Sequence, residues 1–209
     1  MTGNTHYVSN RASMETMDWD EQPNREFELG GVNHLALVCR DMARTVDFYS
    51  GVLGMPLVKT IQLPVDMGQH FFFDAGGGNC IAFFWFPKAP EPQPGVSAAP
   101  ALPDRGAIES AIGSMNHVAL KVPSDRIEEY RDKLMAKGVD CSTILNHDDS
   151  EWGVAKDHGP EVFVRSVYFF DPDGILLEFA AWTRHLSTND VNLPPAAAIA
   201  DVTVGAHTD

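Results

Sequence analysis

The sequence predicts an α+β chain in which two paired βαβββ modules form a curved mixed sheet around a cleft. Three observations lead there. Val32-Asn33-His34-Leu35-Ala36-Leu37 is echoed by Met115-Asn116-His117-Val118-Ala119-Leu120, which marks an internal repeat. Each copy alternates with the two-residue period of a strand, and a helical stripe of apolar residues follows it. Each half then reads as three further extended segments bounded by turn residues.

Taken in order, residues 1–28 are polar, without a sustained apolar period, and read as a flexible N-terminal arm. The first module spans 29–86. In its opening strand Leu35 and Leu37 point to one side, His34 and Ala36 to the other. Asp41 is placed to cap a helix carrying Met42, Val46, Tyr49 and Leu53 at helical spacing, ended by Gly54. Extended segments follow at 56–63, 69–74 and 80–86. Residues 87–112 are rich in Pro and Ala and suit a linker.

The second module spans 113–184. Here Val118 and Leu120 oppose His117 and Ala119. Asp125 and Glu128 have capping-box spacing, Ile127, Tyr130 and Leu134 form the stripe, and Gly138 ends the helix. Extended segments are expected at 139–146, 163–170 and 175–182, and residues 185–209 form an extended C-terminal tail. Two like units with open edges can bury those edges by pairing.

Composition narrows the function. With 44% hydrophobic residues the 209-residue chain can build a core. Its longest dense apolar run, Ile81 to Phe86, is too short for a bilayer, so no membrane partner is expected. A formal net charge of −14 without a Lys/Arg cluster argues against nucleic acid. Three scattered cysteines, Cys39, Cys80 and Cys141, and no apolar leader segment fit reduced thiols in a cytoplasmic protein.

The chemistry is expected where polar groups sit on strands. His34 and His117 occupy equivalent repeat positions, each beside a small alanine that leaves room next to the imidazole. In Ile175-Leu176-Leu177-Glu178-Phe179 the carboxylate of Glu178 lies within an apolar strand. Burying it is costly unless a metal cation or a basic side chain offsets its charge. Each residue alone is weak evidence, because a lone strand histidine is more often a hydrogen-bonded core residue. Together they supply two histidines and one carboxylate, a set that leaves about half a metal's coordination sphere open. The polar stretch His147-Asp148-Asp149 with Glu151-Trp152 reads as a solvated loop able to cover the cleft, and the arm histidines His6, His185 and His207 are given no role.

The repeated Asn-His-hydrophobe-Ala-Leu strand, the βαβββ duplication and Tyr168-Phe169-Phe170-Asp171-Pro172-Asp173-Gly174…Glu178 resemble the vicinal-oxygen-chelate superfamily. That group includes glyoxalase I, extradiol ring-cleaving dioxygenases, epimerases and antibiotic-resistance proteins. The resemblance implies one divalent metal on His34, His117 and Glu178, with Fe(II) favoured and Zn, Mn or Ni able to use the same ligands. It implies a small-molecule substrate bound through two vicinal oxygens, and a homodimer. Glyoxalase-type sites add a carboxylate on the last strand of the first module, but no Asp or Glu lies between Asp74 and Glu91. That absence favours the extradiol pattern, in which Tyr168 contacts a substrate hydroxyl. The pattern's upstream histidine falls near Gly159, with His158 adjacent, and its acid–base histidine aligns with Asn79, so His70 is the expected substitute. The resemblance also leaves open a glyoxalase-type lyase or isomerase, and a non-catalytic protein that binds an antibiotic or metabolite.

Overall fold

The structure is a computed structural model that describes residues 26–27 and 29–196. Most of the expected arm and the end of the expected tail lie outside the described residues.

The first module runs β1 (His34–Cys39), α1 (Met42–Val46), β2 (Leu57–Gln62), β3 (Gln69–Gly76) and β4 (Asn79–Trp85). Asp41 caps α1 as expected, its Oδ1 accepting from the backbone N–H of Ala43 at 2.9 Å and of Arg44 at 3.2 Å. The helix then widens into a π-helical turn over Asp47–Val52. Consecutive Phe48 and Tyr49 are both buried there. The expected helical stripe therefore holds, but on a wider turn than an α-helix gives.

The second module runs β5 (Val118–Lys121), α2 (Ile127–Ala136), β6 (Leu145–His147), β7 (Val154–Ala155), β8 (Val164–Phe170) and β9 (Leu176–Trp182). The expected capping box does not form. A 3-10 turn over Ser124–Arg126 leads into α2, and Glu128 pairs with Arg165 at 2.6 Å instead. The segment expected as one strand over 139–146 is broken into a bridge at Cys141 and the short β6. In between, the Ser142 N–H still reaches the Tyr168 carbonyl at 2.8 Å, and side chains take the neighbouring backbone groups. Asp104 accepts the Thr143 N–H at 2.8 Å, while Arg105 and Arg131 donate to the carbonyls of Cys141 at 2.6 Å and Ser142 at 2.8 Å.

Strand order is β1-β4-β3-β2 in one sheet and β5-β9-β8-β6-β7 in the other, so the two modules share one topology with β7 added at an edge. In each, the first strand runs parallel to the last and the remaining pairs are antiparallel. The expected α+β pair of modules is therefore built from two mixed sheets, one per module. Side chains join them: one buried cluster contains Tyr49, Phe73 and Phe83 from the first module and Ile127, Val167 and Phe169 from the second. Among the described residues no helix is long and apolar enough to cross a membrane.

The segment 87–112 packs more closely than its composition suggests. Ala99 and Leu102 are buried against Tyr168 and Leu176 on the second sheet. Arg105 pairs with Asp140 at 2.6 Å and helps pin the segment in place.

Between the modules, the Tyr49 hydroxyl donates to Asp171 Oδ2 at 3.2 Å, and the Arg40 N–H donates to Asp173 Oδ2 at 3.0 Å. Burial raises the Asp171 carboxyl to about 6, against the N–H groups of Ile175 and Asp173 and the Tyr49 hydroxyl, which favour its charged form. The folded chain thus holds this proton to higher pH than the unfolded chain does. The contribution is fully present below about pH 4 and lost as pH rises to about 6, amounting to roughly 3 kcal/mol. Urea unfolding of wild type and Asp171→Asn across that window should give stabilities whose difference changes by this amount. Parallel pH profiles would contradict the account.

Candidate metal centre

The site follows from sheet register. Ala119 lies opposite Glu178 on parallel β5 and β9, so His117 and Glu178 project from the same face. His117 Nε2 lies 3.0 Å from Glu178 Oε2. The Ser166 hydroxyl donates to Glu178 Oε1. Burial pushes the Glu178 pKa up, but the His117 and Ser166 hydrogen bonds outweigh it and hold the group below the usual carboxylate value. Glu178 is therefore held as an anion, 5% exposed and tied to an imidazole.

Tyr168 lies opposite Glu178 on β8. Its ring stands edge-on to His117, centroids 5.7 Å apart, and its hydroxyl is 3.3 Å from His147 Nε2. Burial, then the Glu178 charge, push the phenol well above its ordinary pKa, so it stays protonated and can donate.

The other expected residues gather on the first sheet. His34 meets the edge of Phe72 at 5.5 Å, and His70 meets the same ring at 4.4 Å. His70 is buried and stacks on Phe84 at 3.6 Å, and Phe84 stacks on Phe86 at 5.2 Å. Its Nδ1 donates to the Phe83 carbonyl at 3.1 Å, which leaves Nε2 as the basic nitrogen of the neutral ring. The structure thus brings His117, Glu178 and Tyr168 together, and His34 with His70, on separate sheets. Among the described residues no group of three or more His, Cys, Asp or Glu side chains is arranged to hold a metal.

Register also aligns the two halves residue by residue. Ala36 opposes Ala82 where Ala119 opposes Glu178, so Ala82 occupies the first module's counterpart of the carboxylate position. By the same comparison Phe72 corresponds to Tyr168, and His70 to Ser166. Asn79 is spent on the β3–β4 turn, where its amide donates to the Gly76 and Gly77 carbonyls. His158 is exposed in the loop between β7 and β8.

Four polar residues at these sites were not read as site residues from the sequence. Ser166 stands two places before Tyr168, so strand alternation alone puts both on one face. His147, read as part of a solvated loop, ends β6 opposite Val164. Asn33 and Asn116 sit in the repeat itself, and each side-chain oxygen accepts from Nδ1 of the following histidine at 2.8 Å.

Comparison with known proteins agrees with this architecture. The profile of the Glyoxalase/Bleomycin resistance protein/Dioxygenase superfamily matches residues 31–179. YwkD of Bacillus subtilis, itself described as uncharacterized, is 24% identical over 150 residues, covering 72% of this chain and 95% of its own. Two crystal structures superpose with TM-score 0.51 at 22% identity: SMU.1112c, covering 73% of this chain and 99% of its own, and a glyoxalase family protein from Enterococcus faecalis, covering 72% and 97%. The chain belongs to the Glyoxalase/Bleomycin resistance protein/Dioxygenase superfamily.

Proposed function

We propose that the chain is a metal-dependent enzyme whose centre is completed between two copies, His34 of one copy joining His117 and Glu178 of the other. What supports this reading is the His117–Glu178 pair, an anionic carboxylate at 3.0 Å from an imidazole, with the repeat-related His34 on the other sheet and, among the described residues, no third ligating side chain grouped with the pair. The donors fit one divalent ion, since two imidazole nitrogens and one carboxylate suit Fe(II), with Zn, Mn or Ni as alternatives. When bound, the ion supplies Lewis acidity to two neighbouring substrate oxygens.

The residues around the pair favour an extradiol-type ring-cleaving dioxygenase. Ala82 at the counterpart of Glu178 supplies no fourth ligand, which leaves space for a chelating diol and for O₂. The stacked rings of His70, Phe84 and Phe86, with Phe72 edge-on, suit the face of a flat aromatic substrate. Protonated Tyr168 donates a hydrogen bond to a substrate oxygen, and His70 Nε2 accepts a proton. A second reading, a lyase or isomerase, is favoured by one contact: the His147–Tyr168 pair can move a proton without O₂.

Loading with Fe(II) under anaerobic conditions, followed by catechols and air, should give oxygen uptake and a coloured ring-opened product. His70→Ala should lower turnover by about 10²–10⁴-fold while metal and substrate binding persist. No uptake with any catechol, alongside turnover of hemithioacetals under Zn²⁺, Ni²⁺ or Mn²⁺, would replace the dioxygenase reading with the isomerase one.

A further inference from the structure

We infer that Asn116 is a positioning residue that fixes the His117 imidazole for metal binding, and that the segment preceding the second module sets the orientation of Asn116 through the Ile108 carbonyl. The inference rests on the metal reading above. Its support is a chain of groups whose donor and acceptor roles are each determined by the next.

The first group is a backbone carbonyl, which can only accept. Asn116 Nδ2 lies 2.6 Å from the Ile108 oxygen, with the Ser110 hydroxyl 3.3 Å away. The amide therefore cannot be turned over, because its oxygen would then face another oxygen. That leaves Asn116 Oδ1, an acceptor, 2.8 Å from His117 Nδ1. Nδ1 must carry the proton. Nε2, whose N–H meets Glu178 Oε2 at 3.0 Å on the other side of the ring when no cation is bound, is then the nitrogen left to ligate a cation that takes that proton's place beside the carboxylate.

Such an outer hydrogen bond holds a ligating ring in one tautomer and one orientation and raises its basicity. The repeat supplies a second, independent instance: Asn33 Oδ1 accepts from His34 Nδ1 at the same 2.8 Å. Two imidazoles on two sheets thus present Nε2 by the same device. Since 87–112 also packs on the second sheet, Ala99 and Leu102 lying in one cluster with Tyr168, one segment both braces that ring and orients the proposed ligand.

The test uses the full chain and Zn²⁺ alone, with affinity measured by competition against a chromophoric chelator. Asn116→Leu should weaken Zn²⁺ binding by about 10–100-fold. Asn116→Asp restores an acceptor for Nδ1–H and should recover most of that loss, although it forfeits the donor to Ile108. Nitrogen-15 spectra of the Zn²⁺-loaded protein should show His117 protonated at Nδ1 in wild type and Asn116→Asp, and that signal lost in Asn116→Leu. Zn²⁺ bound as tightly by Asn116→Leu as by wild type overturns the inference. So do Leu and Asp variants that are equally weak, because the amide would then serve only the preceding segment. Wild type that takes up no Zn²⁺ overturns the metal reading itself, and this inference with it.

Discussion

His117→Ala is expected to lose its metal altogether, and so is His34→Ala, yet a mixture of the two should regain it. If each centre takes His34 from one copy and His117 with Glu178 from the other, a mixed dimer has one centre with every ligand and one that lacks both histidines. Chains denatured together and refolded should therefore recover metal in proportion to the mixed dimers formed. Neither variant alone should bind metal. Elemental analysis of the separated dimers checks this directly. Failure of the mixture to regain metal would place the ligand set within one chain or remove the centre. Full occupancy in His117→Ala alone would end the assignment of that residue. In that variant Glu178 keeps the Ser166 bond but loses its imidazole partner, so a modest loss of stability should accompany the loss of metal.

The largest effect on folding is expected at Phe83. This ring has no exposed surface and meets Tyr49 at 4.7 Å and Phe73 at 6.1 Å, in the cluster that both modules share. Phe83→Ala removes most of its side chain from a place with little room to collapse. It should lower the unfolding free energy by about 3–5 kcal/mol, a large part of what a domain of this size possesses. Phe84, one residue along, faces the other side and is only partly buried, so Phe84→Ala should cost less stability and act chiefly on substrate. Chemical denaturation of both variants checks the contrast. Equal losses would mean that the two faces of β4 are not divided in this way.

Much of this was legible before any fold was known, and for a clear reason. A strand's two-residue period fixes which side chains share a face, so His34 with Ala36, and Glu178 with Leu176 and Ala180, could be assigned from spacing alone. The repeat then located equivalent positions on two sheets. Spacing within a strand does not say which face of one sheet meets which face of another. The separation of His34 from the His117–Glu178 pair therefore could not be read. The break at 142–144 was hidden because its hydrogen-bond partners, Asp104, Arg105 and Arg131, lie far away or on another element. Ala99 and Leu102 were hidden by their company: in a run of Pro and Ala, nothing local marks two residues as buried.

Ala82 gives the duplication a direction. The second half carries a carboxylate, Glu178, where the first presents the methyl group of Ala82 at the matching register. In the proposed centre the halves are not interchangeable: two first modules brought together would supply no carboxylate at this register, and two second modules would supply two. The duplicated scaffold is thus chemically one-sided. The Ala82 position, at the register of the proposed ligand Glu178, is where a single change to an acidic side chain would offer such a centre a further donor.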